Sequence, residues 1–339
     1  MKEVNLGIIG LGYKGKTHLQ NALQLEGTRV IGVADTSEQA LSYAKKIGVR
    51  NVYKNYEDLV KNNQLDAVVI SLPNFLHLES AIKAAEAGKD ILMEKPLARN
   101  VKEGEKILSS VENNGVRLMM GYDMRFNPLF KETKNKIVDG FFGDVQIAEV
   151  TNVSGGPFSS RSDKVGPIPV SQWWFDKNLS GGGVLLDLGT HSIDFLSWYF
   201  GKVDSVKSYL GYMFNLDMED TATCVLVFNR GPIAILNVGW FSRDFLLSVQ
   251  ICGTAKNLLV QAAPLRTLER VGKDLKSKFG APNCDPFYLE LEYFVKSLQR
   301  DEQPKPSCED GLICQRLVAA AYENSVVRNE NTLTEELEF

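Results

Sequence analysis

Histidine is scarce in this sequence: three occur in 339 residues. Cysteine is nearly as sparse. Cys224, Cys252, Cys284, Cys308 and Cys314 are scattered, odd in number and form no C-x-x-C pair. That spacing argues against a zinc site or a disulfide framework, and no metal is expected. It suits buried free thiols in a reduced cytoplasmic protein. No apolar run approaches the roughly 20 residues of a membrane span. Glycines begin at once where a signal peptide would carry its apolar core, which also points to the cytoplasm. Net charge is −4, both signs are interspersed, and there is no long basic tract. Nucleic acid and membrane surfaces are therefore not expected partners. Internal repeats and low-complexity tracts are missing as well.

The first thirty-five residues hold a compact pattern. Val4-Asn-Leu-Gly-Ile-Ile-Gly10 reads as a buried strand, short and rich in branched residues. It runs into Gly10-Leu-Gly12-Tyr13-Lys14-Gly15 and then a helical pattern to about Glu26. A second strand, Arg29 to Ala34, ends at Asp35, about 20 residues beyond the last glycine. Gly10 allows a tight turn, Gly12 lets backbone approach a pyrophosphate, and Gly15 lets helix and strand pack closely. The helix N-terminus offers free N–H groups and a partial positive charge to phosphates. Asp35 would accept hydrogen bonds from both adenosine ribose hydroxyls and repel a 2′-phosphate. No arginine follows; Thr36 and Ser37 do, which favours NAD over NADP.

Strands and helices then alternate. Helices are expected over about 37–47, 56–60, 77–87 and 101–113, and strands near 51–53, 65–70, 90–93 and 116–121. Six strands with crossover helices make a doubly wound, mainly parallel sheet. The strand Asp90 to Met93 leads into Glu94-Lys95-Pro96. Proline disfavours the helical region for the residue before it, so Lys95 is held extended at the carboxyl edge, where open α/β sheets bind ligands.

After Asp123 the rhythm changes. A helix over about 128–139 leads to consecutive extended segments at 144–152, 203–214, 221–228, 233–241 and 246–252. Asn229-Arg-Gly231-Pro232 looks like a hairpin turn. Strands without intervening helices indicate an antiparallel sheet. Two late helices, about 287–299 and 309–327, flank Gln303-Pro-Lys-Pro306. The expected division is a dinucleotide-binding domain, 1–122, and an α+β domain with a large, mainly antiparallel open sheet, 123–339. Ser154 to Ser171, rich in Gly, Ser and Pro, is long enough for a lid or arm.

Ser180-Gly-Gly-Gly183 opens a helical pattern through Trp198. Leu185, Leu188, Ser192 and Leu196 fall on one side. Asp187, His191 and Asp194 lie on another at i, i+4 and i+7. Gly189 sits mid-helix, which marks close approach of something to the backbone. An ordinary surface Asp–His pair is one reading of this face. The other is a general base near neutral pKa, which an alcohol-oxidising enzyme needs. Trp173 and Trp174 either stack on a sugar face or fill core. Arg161 and Lys164 suit solvated loop charge better than a phosphate or carboxylate site.

With these pieces on the page, the chain resembles the Gfo/Idh/MocA oxidoreductases over nearly its whole length. The matching motifs are GLGYKG at Gly10–Gly15, SLPNFLH at Ser71–His77, EKP at Glu94–Pro96, GYDMRFNP at Gly121–Pro128 and SGGGVLLDLGTHSID at Ser180–Asp194. The resemblance implies NAD as cofactor, a sugar or polyol substrate and a homodimer or homotetramer built on the open sheet. It also implies roles: Lys95 near nicotinamide and substrate, often before a cis proline, Asp187 as substrate-positioning carboxylate, and His191 as general acid/base. Pro73, Asn74, His77 and Glu94 match positions near the nicotinamide ribose. Tyr122 and Arg125 match positions close to the cleft. Without the family, His18 and His77 read as structural. The expected activity is oxidation of a secondary alcohol on a sugar, inositol, sugar acid or nucleotide sugar. The competing readings are an NAD-dependent glycosidase with transient redox and a non-catalytic NAD- and sugar-binding regulator.

Overall fold

The computed structural model describes residues 3–158, 161–163, 166–168, 171–242, 244–263, 266–271, 274–278 and 285–327. The first lobe runs β1 (Val4–Ile9), α1 (Tyr13–Gln24), β2 (Thr28–Ala34), α2 (Glu38–Lys46), β3 (Asn51–Tyr53), α3 (Tyr56–Val60), β4 (Ala67–Ile70), α4 (His77–Glu86), β5 (Asp90–Glu94), α5 (Val101–Asn114) and β6 (Leu118–Gly121). All six strands are parallel, in the order β3-β2-β1-β4-β5-β6. The winding reverses between β1 and β4, and a crevice opens at their carboxyl ends. β4 and β6 are buried on both faces, as a helix-covered parallel sheet requires. Ser37, Asn55 and Asn100 cap α2, α3 and α5 through their side chains. Gly88 and Gly115 close α4 and α5 with left-handed φ of 68° and 63°.

The second lobe holds α6 (Pro128–Val138), β7 (Val145–Val153), β8 (Arg161–Asp163), β9 (Gly166–Ile168), α7 (Lys177–Ser180), α8 (Thr190–Phe200), β10 (Val203–Gly211), β11 (Thr221–Phe228), β12 (Ile233–Gly239), β13 (Leu246–Gly253), β14 (Asn257–Ala263), β15 (Arg266–Val271), β16 (Asp274–Lys278), α9 (Pro286–Gln299), α10 (Cys308–Glu323) and β17 (Ser325–Val327). Among the described residues, nine strands form one sheet, β16-β15-β14-β13-β7-β12-β11-β10-β17. It is antiparallel except where β12 meets β7 and β10 meets β17. The two lobes together make the expected α/β fold.

Three local expectations need correction. β14 to β16 extend the sheet beyond the predicted strands; β15 and β16 are short and charged, and cross-strand pairing makes them strands rather than intrinsic pattern. The last predicted helix stops at Glu323, because Ser325–Val327 pairs in parallel with Ser208–Leu210. Within the expected arm, Arg161–Asp163 and Gly166–Ile168 pair as a small hairpin. The side chain of Arg161, all of Lys164 and Cys284 lie outside the described residues.

The chain does not leave the first lobe for good. Leu291, Phe294 and Val295 of α9 share one core with Leu6, Leu19 and Ala22 of β1 and α1. The backbone N–H of Met120 donates to the carbonyl of Pro306 at 2.8 Å. Bonds across the lobes also run from Asn74 Nδ2 to the Ser180 carbonyl at 2.7 Å and from Arg99 Nη1 to the Asn178 carbonyl at 2.7 Å. These ties fix the distance between residues that the sequence places far apart.

Candidate active site

A cleft of about 1000 Å³ opens where the lobes meet at the carboxyl edge of the parallel sheet. Its first wall is the glycine turn. Gly10 has φ of +86°, and a Cβ there would stand 2.2 Å from the Ser71 carbonyl oxygen. A Cβ on Gly15 would stand 1.9 Å from the Gly10 carbonyl oxygen. Gly12 is different: nothing lies within 4 Å of its Cβ position, and it caps α1 without any side-chain hydrogen bond. Gly12, Tyr13 and Lys14 line the cleft, and the first N–H groups of a helix have no acceptor within it, so this end of α1 is a cradle that fits a pyrophosphate. Two outcomes follow. Gly15→Ala forces backbone apart and should both lower Tm and abolish NAD binding. Gly12→Ala should fold normally yet lose NAD affinity. Thermal melts with and without NAD check both, and equal behaviour of the two variants contradicts this division of labour.

Asp35 and Thr36 line the far end. Asp35 Oδ2 accepts from the Leu11 N–H at 2.6 Å and Oδ1 from the Ser37 N–H at 2.7 Å, which fixes the carboxylate at the end of β2. Lys54, Asn55 and Tyr56 also form this wall. No sequence pattern pointed to them, because β3 is brought in by sheet order alone.

Ser71, Pro73, Asn74, Glu94 and Lys95 line the middle. The Lys95–Pro96 bond is cis. His77 is fully buried and does not line the cleft. Its Nδ1 lies 2.8 Å from the Pro96 carbonyl and its Nε2 2.9 Å from the Leu72 carbonyl, so it fastens two wall segments from behind. Burial lowers its pKa, and a neutral ring can donate to only one of those carbonyls. His18 Nε2 donates to Glu94 Oε1 at 2.9 Å. Burial opposes the Glu94 charge. The His18 hydrogen bond and the Lys14, His18 and Lys95 charges outweigh it and hold the carboxyl below its ordinary range.

The opposite wall begins at Ser180–Gly183. Its glycines serve packing: Gly181 has φ of +89° and a Cβ there would meet Arg99 Cα at 2.7 Å, while one on Gly183 would meet the Glu219 carbonyl at 2.0 Å. Glu219 was not anticipated. Its carbonyl accepts from the Val184 N–H and its Oε1 from the Leu185 N–H, each at 3.0 Å, with the Tyr322 hydroxyl donating at 2.8 Å. The segment it caps, Leu185–Gly189, is a π-helical turn rather than the expected α-helix. The wider turn offsets α8, so Asp187 and His191 line the cleft while Asp194 turns away. Gly189 accommodates the side chain of Leu185, whose Cδ1 lies 2.7 Å from the Cβ position.

Lys95 and Asp187 join the walls. Lys95 Nζ donates to Asp187 Oδ1 at 2.6 Å and to the Asp187 carbonyl at 3.0 Å, and Trp240 Nε1 donates to Asp187 Oδ2 at 3.1 Å. His191, 8 % exposed, stands beside them. Burial first, then the Lys95 and Lys14 charges, hold its pKa well below the usual histidine value, so the ring is neutral at pH 7. Trp173 and Trp174 also line the cleft, stacked on each other with centroids 4.8 Å apart. Tyr122 and Arg125 do not line it. Tyr122 is buried with its ring edge-on to His191, and Arg125 grips Asp194 in a bidentate pair at 2.9 and 2.6 Å.

Comparison with known proteins agrees with this architecture. Residues 4–122 match the model of the oxidoreductase family with an NAD-binding Rossmann fold, and residues 130–258 match the GFO/IDH/MocA C-terminal domain. An uncharacterized oxidoreductase of Rhizobium meliloti is 31% identical over 268 residues, 76% of this chain and 74% of its own. Myo-inositol 2-dehydrogenase of Thermotoga maritima is 25% identical over 339 residues, covering 94% of this chain and 95% of its own. The solved structure of a levoglucosan dehydrogenase with NADH and levoglucosan superposes with a TM-score of 0.83 at 21% identity, over 95% of this chain and 97% of that one, and so shares its fold. Among the described residues no helix is long and apolar enough to cross a membrane. Glycine turn, Asp35, interlobe cleft and family models converge: the chain belongs to the Gfo/Idh/MocA oxidoreductases, with an NAD-binding Rossmann domain at its N-terminal side.

Proposed function

We propose that this chain is a dehydrogenase that oxidises a secondary alcohol of a sugar or polyol, with Lys95, Asp187 and His191 acting at the reacting carbon–oxygen bond. The observation that carries the reading is the meeting of a fixed ammonium from β5 and a neutral imidazole from α8 on one cleft. When bound, NAD supplies the hydride acceptor. The chain supplies the proton chemistry and the positioning. His191 receives the hydroxyl proton of the substrate. Lys95 has three donors, two of them committed to Asp187. The third serves the substrate oxygen and steadies the negative charge that grows on it. Asp187, held by Trp240, keeps the ammonium in place. The aromatic wall of Trp173 and Trp174 suits the C–H face of a ring substrate.

The names of relatives favour the same class, since they include an inositol dehydrogenase and a levoglucosan dehydrogenase. Assembly belongs to the same reading. Ile147, Ile233 and Val227 form one exposed cross-strand row of the nine-stranded sheet, and Tyr209 beside Val326 forms a second exposed apolar pair further along, a surface suited to a second copy of the chain. A panel of sugars, inositols, sugar acids and nucleotide sugars, assayed with NAD and NADP, tests the activity. NADH should accumulate with free sugar or polyol, faster with NAD. Cleavage of aryl glycosides without NADH accumulation would replace this reading with the glycosidase. Tight NAD binding with no turnover across the panel would replace it with the regulator.

A further inference from the structure

We infer that Asp123 is the positioning residue for His191, accepting a hydrogen bond from the ring Nδ1–H and so presenting an unprotonated Nε2 to the cleft. This rests on the reading of His191 as proton acceptor. His191 Nδ1 is buried and, among the described residues, has no hydrogen-bond partner. The charged oxygen nearest to it in the ion-pair geometry is Asp123 Oδ1, 3.7 Å away, with side-chain exposures of 10% and 17% for the two residues. That gap is longer than a hydrogen bond and shorter than a water-filled one; catalytic hydrogen bonds in ligand-free sites are often this loose and tighten when the cleft fills.

The setting favours a fixed carboxylate. Asp123 opens the single turn Asp123–Phe126 directly after β6, so the first lobe sets its position while the second sets that of His191. The preceding residue, Tyr122, lays its ring edge-on to the imidazole with centroids 6.4 Å apart. Two consecutive residues at one strand end therefore hold the ring from behind. The other charged groups facing His191 are Lys95 and Lys14, which oppose a proton on it. Burial raises the pKa of Asp123; the groups facing it are the Glu94 carboxylate and the buried Glu290 carboxyl, which burial holds well above its ordinary range, against Lys14 and Lys95. A neutral imidazole has one N–H. Given to Asp123, it leaves the lone pair on Nε2 for the substrate hydroxyl. The hydroxyl proton then moves to Nε2, the Nδ1 proton stays on the ring, and Asp123 offsets the new positive charge beside two lysines.

The tautomer can be read directly. Protein labelled with ¹⁵N-histidine, in excess NAD at pH 7.5, is recorded by two-bond ¹H–¹⁵N correlation; three rings make assignment simple, and His191→Asn identifies the third. The wild type should show the Nδ1–H form. Asp123→Glu should keep it, and Asp123→Asn should move the ring toward Nε2–H, because the carboxamide can donate to Nδ1. An Nε2–H ring in the wild type, or no change in Asp123→Asn, overturns the inference. If Asp123→Asn does not fold, the wild-type spectrum alone decides. Turnover that survives His191→Asn would defeat the functional reading instead, whatever tautomer is found.

Discussion

Lys95→Met should lower turnover by about a thousandfold, the usual scale for losing a donor aimed at developing oxyanion charge. The same change should cost stability. Lys95 and Asp187 are 12% and 10% exposed, and the lysine makes two of the bonds that hold the aspartate and its turn. Without it the Asp187 carboxylate keeps, among the described residues, the Trp240 indole. Stranding a buried charge costs about 3–5 kcal/mol. Adding Asp187→Asn should restore much of the lost Tm and none of the turnover. Turnover on the best panel substrate and thermal melts of both singles and the double make the cycle. A lysine that merely held the lobes together would show the opposite: activity returning with stability.

His191→Asn should reduce kcat by about 10²–10⁴-fold, the range for general acid–base catalysis, with NAD affinity nearly unchanged. The pH dependence has a definite sign. A proton acceptor must be neutral, and burial with Lys95 and Lys14 depresses its pKa below 6.5. The acid limb of kcat/KM should therefore lie below pH 6.5, and it should move upward in Lys95→Met as one opposing charge is removed. Stability follows the same linkage. The unfolded ring takes up a proton near 6.5 while the folded ring resists, so stability falls as pH drops through that value. His77 is depressed by burial in the same direction, and His191→Asn should remove part of this loss but not all. Equal loss of kcat and NAD affinity would make His191 a structural residue.

What could be read from the chain beforehand follows the range of the physics. The Gly10 turn, its helix and Asp35 were legible because turn chemistry is local. Lys95 was legible because proline constrains its neighbour. Asp187 and His191 were chosen from α-helical spacing, and they share the cleft although the turn between them is π-helical; the same spacing misplaced Asp194, which serves Arg125. Arg125 itself matched a motif, yet pairing across α8 turns it from the cleft. Asp123 stood inside the matched motif Gly121–Pro128 without being read as a site residue; Glu219 and Trp240 were silent. Each reaches the site through sheet register or interlobe contact, which no stretch of sequence around it announces. Gly183 was noticed, but its purpose depended on the Glu219 carbonyl that presses against it.

The return of α9 to the flank of α1 has a consequence for how the protein is made. A ribosome releases Leu19 and Ala22 long before it has joined Leu291, Phe294 and Val295, their partners in one core. Until that moment the nascent nucleotide-binding unit has a greasy side with nothing on it, which is the surface that chaperones and proteases survey. A message broken anywhere before the codon for Pro286 would yield not a smaller working module but a product marked for disposal.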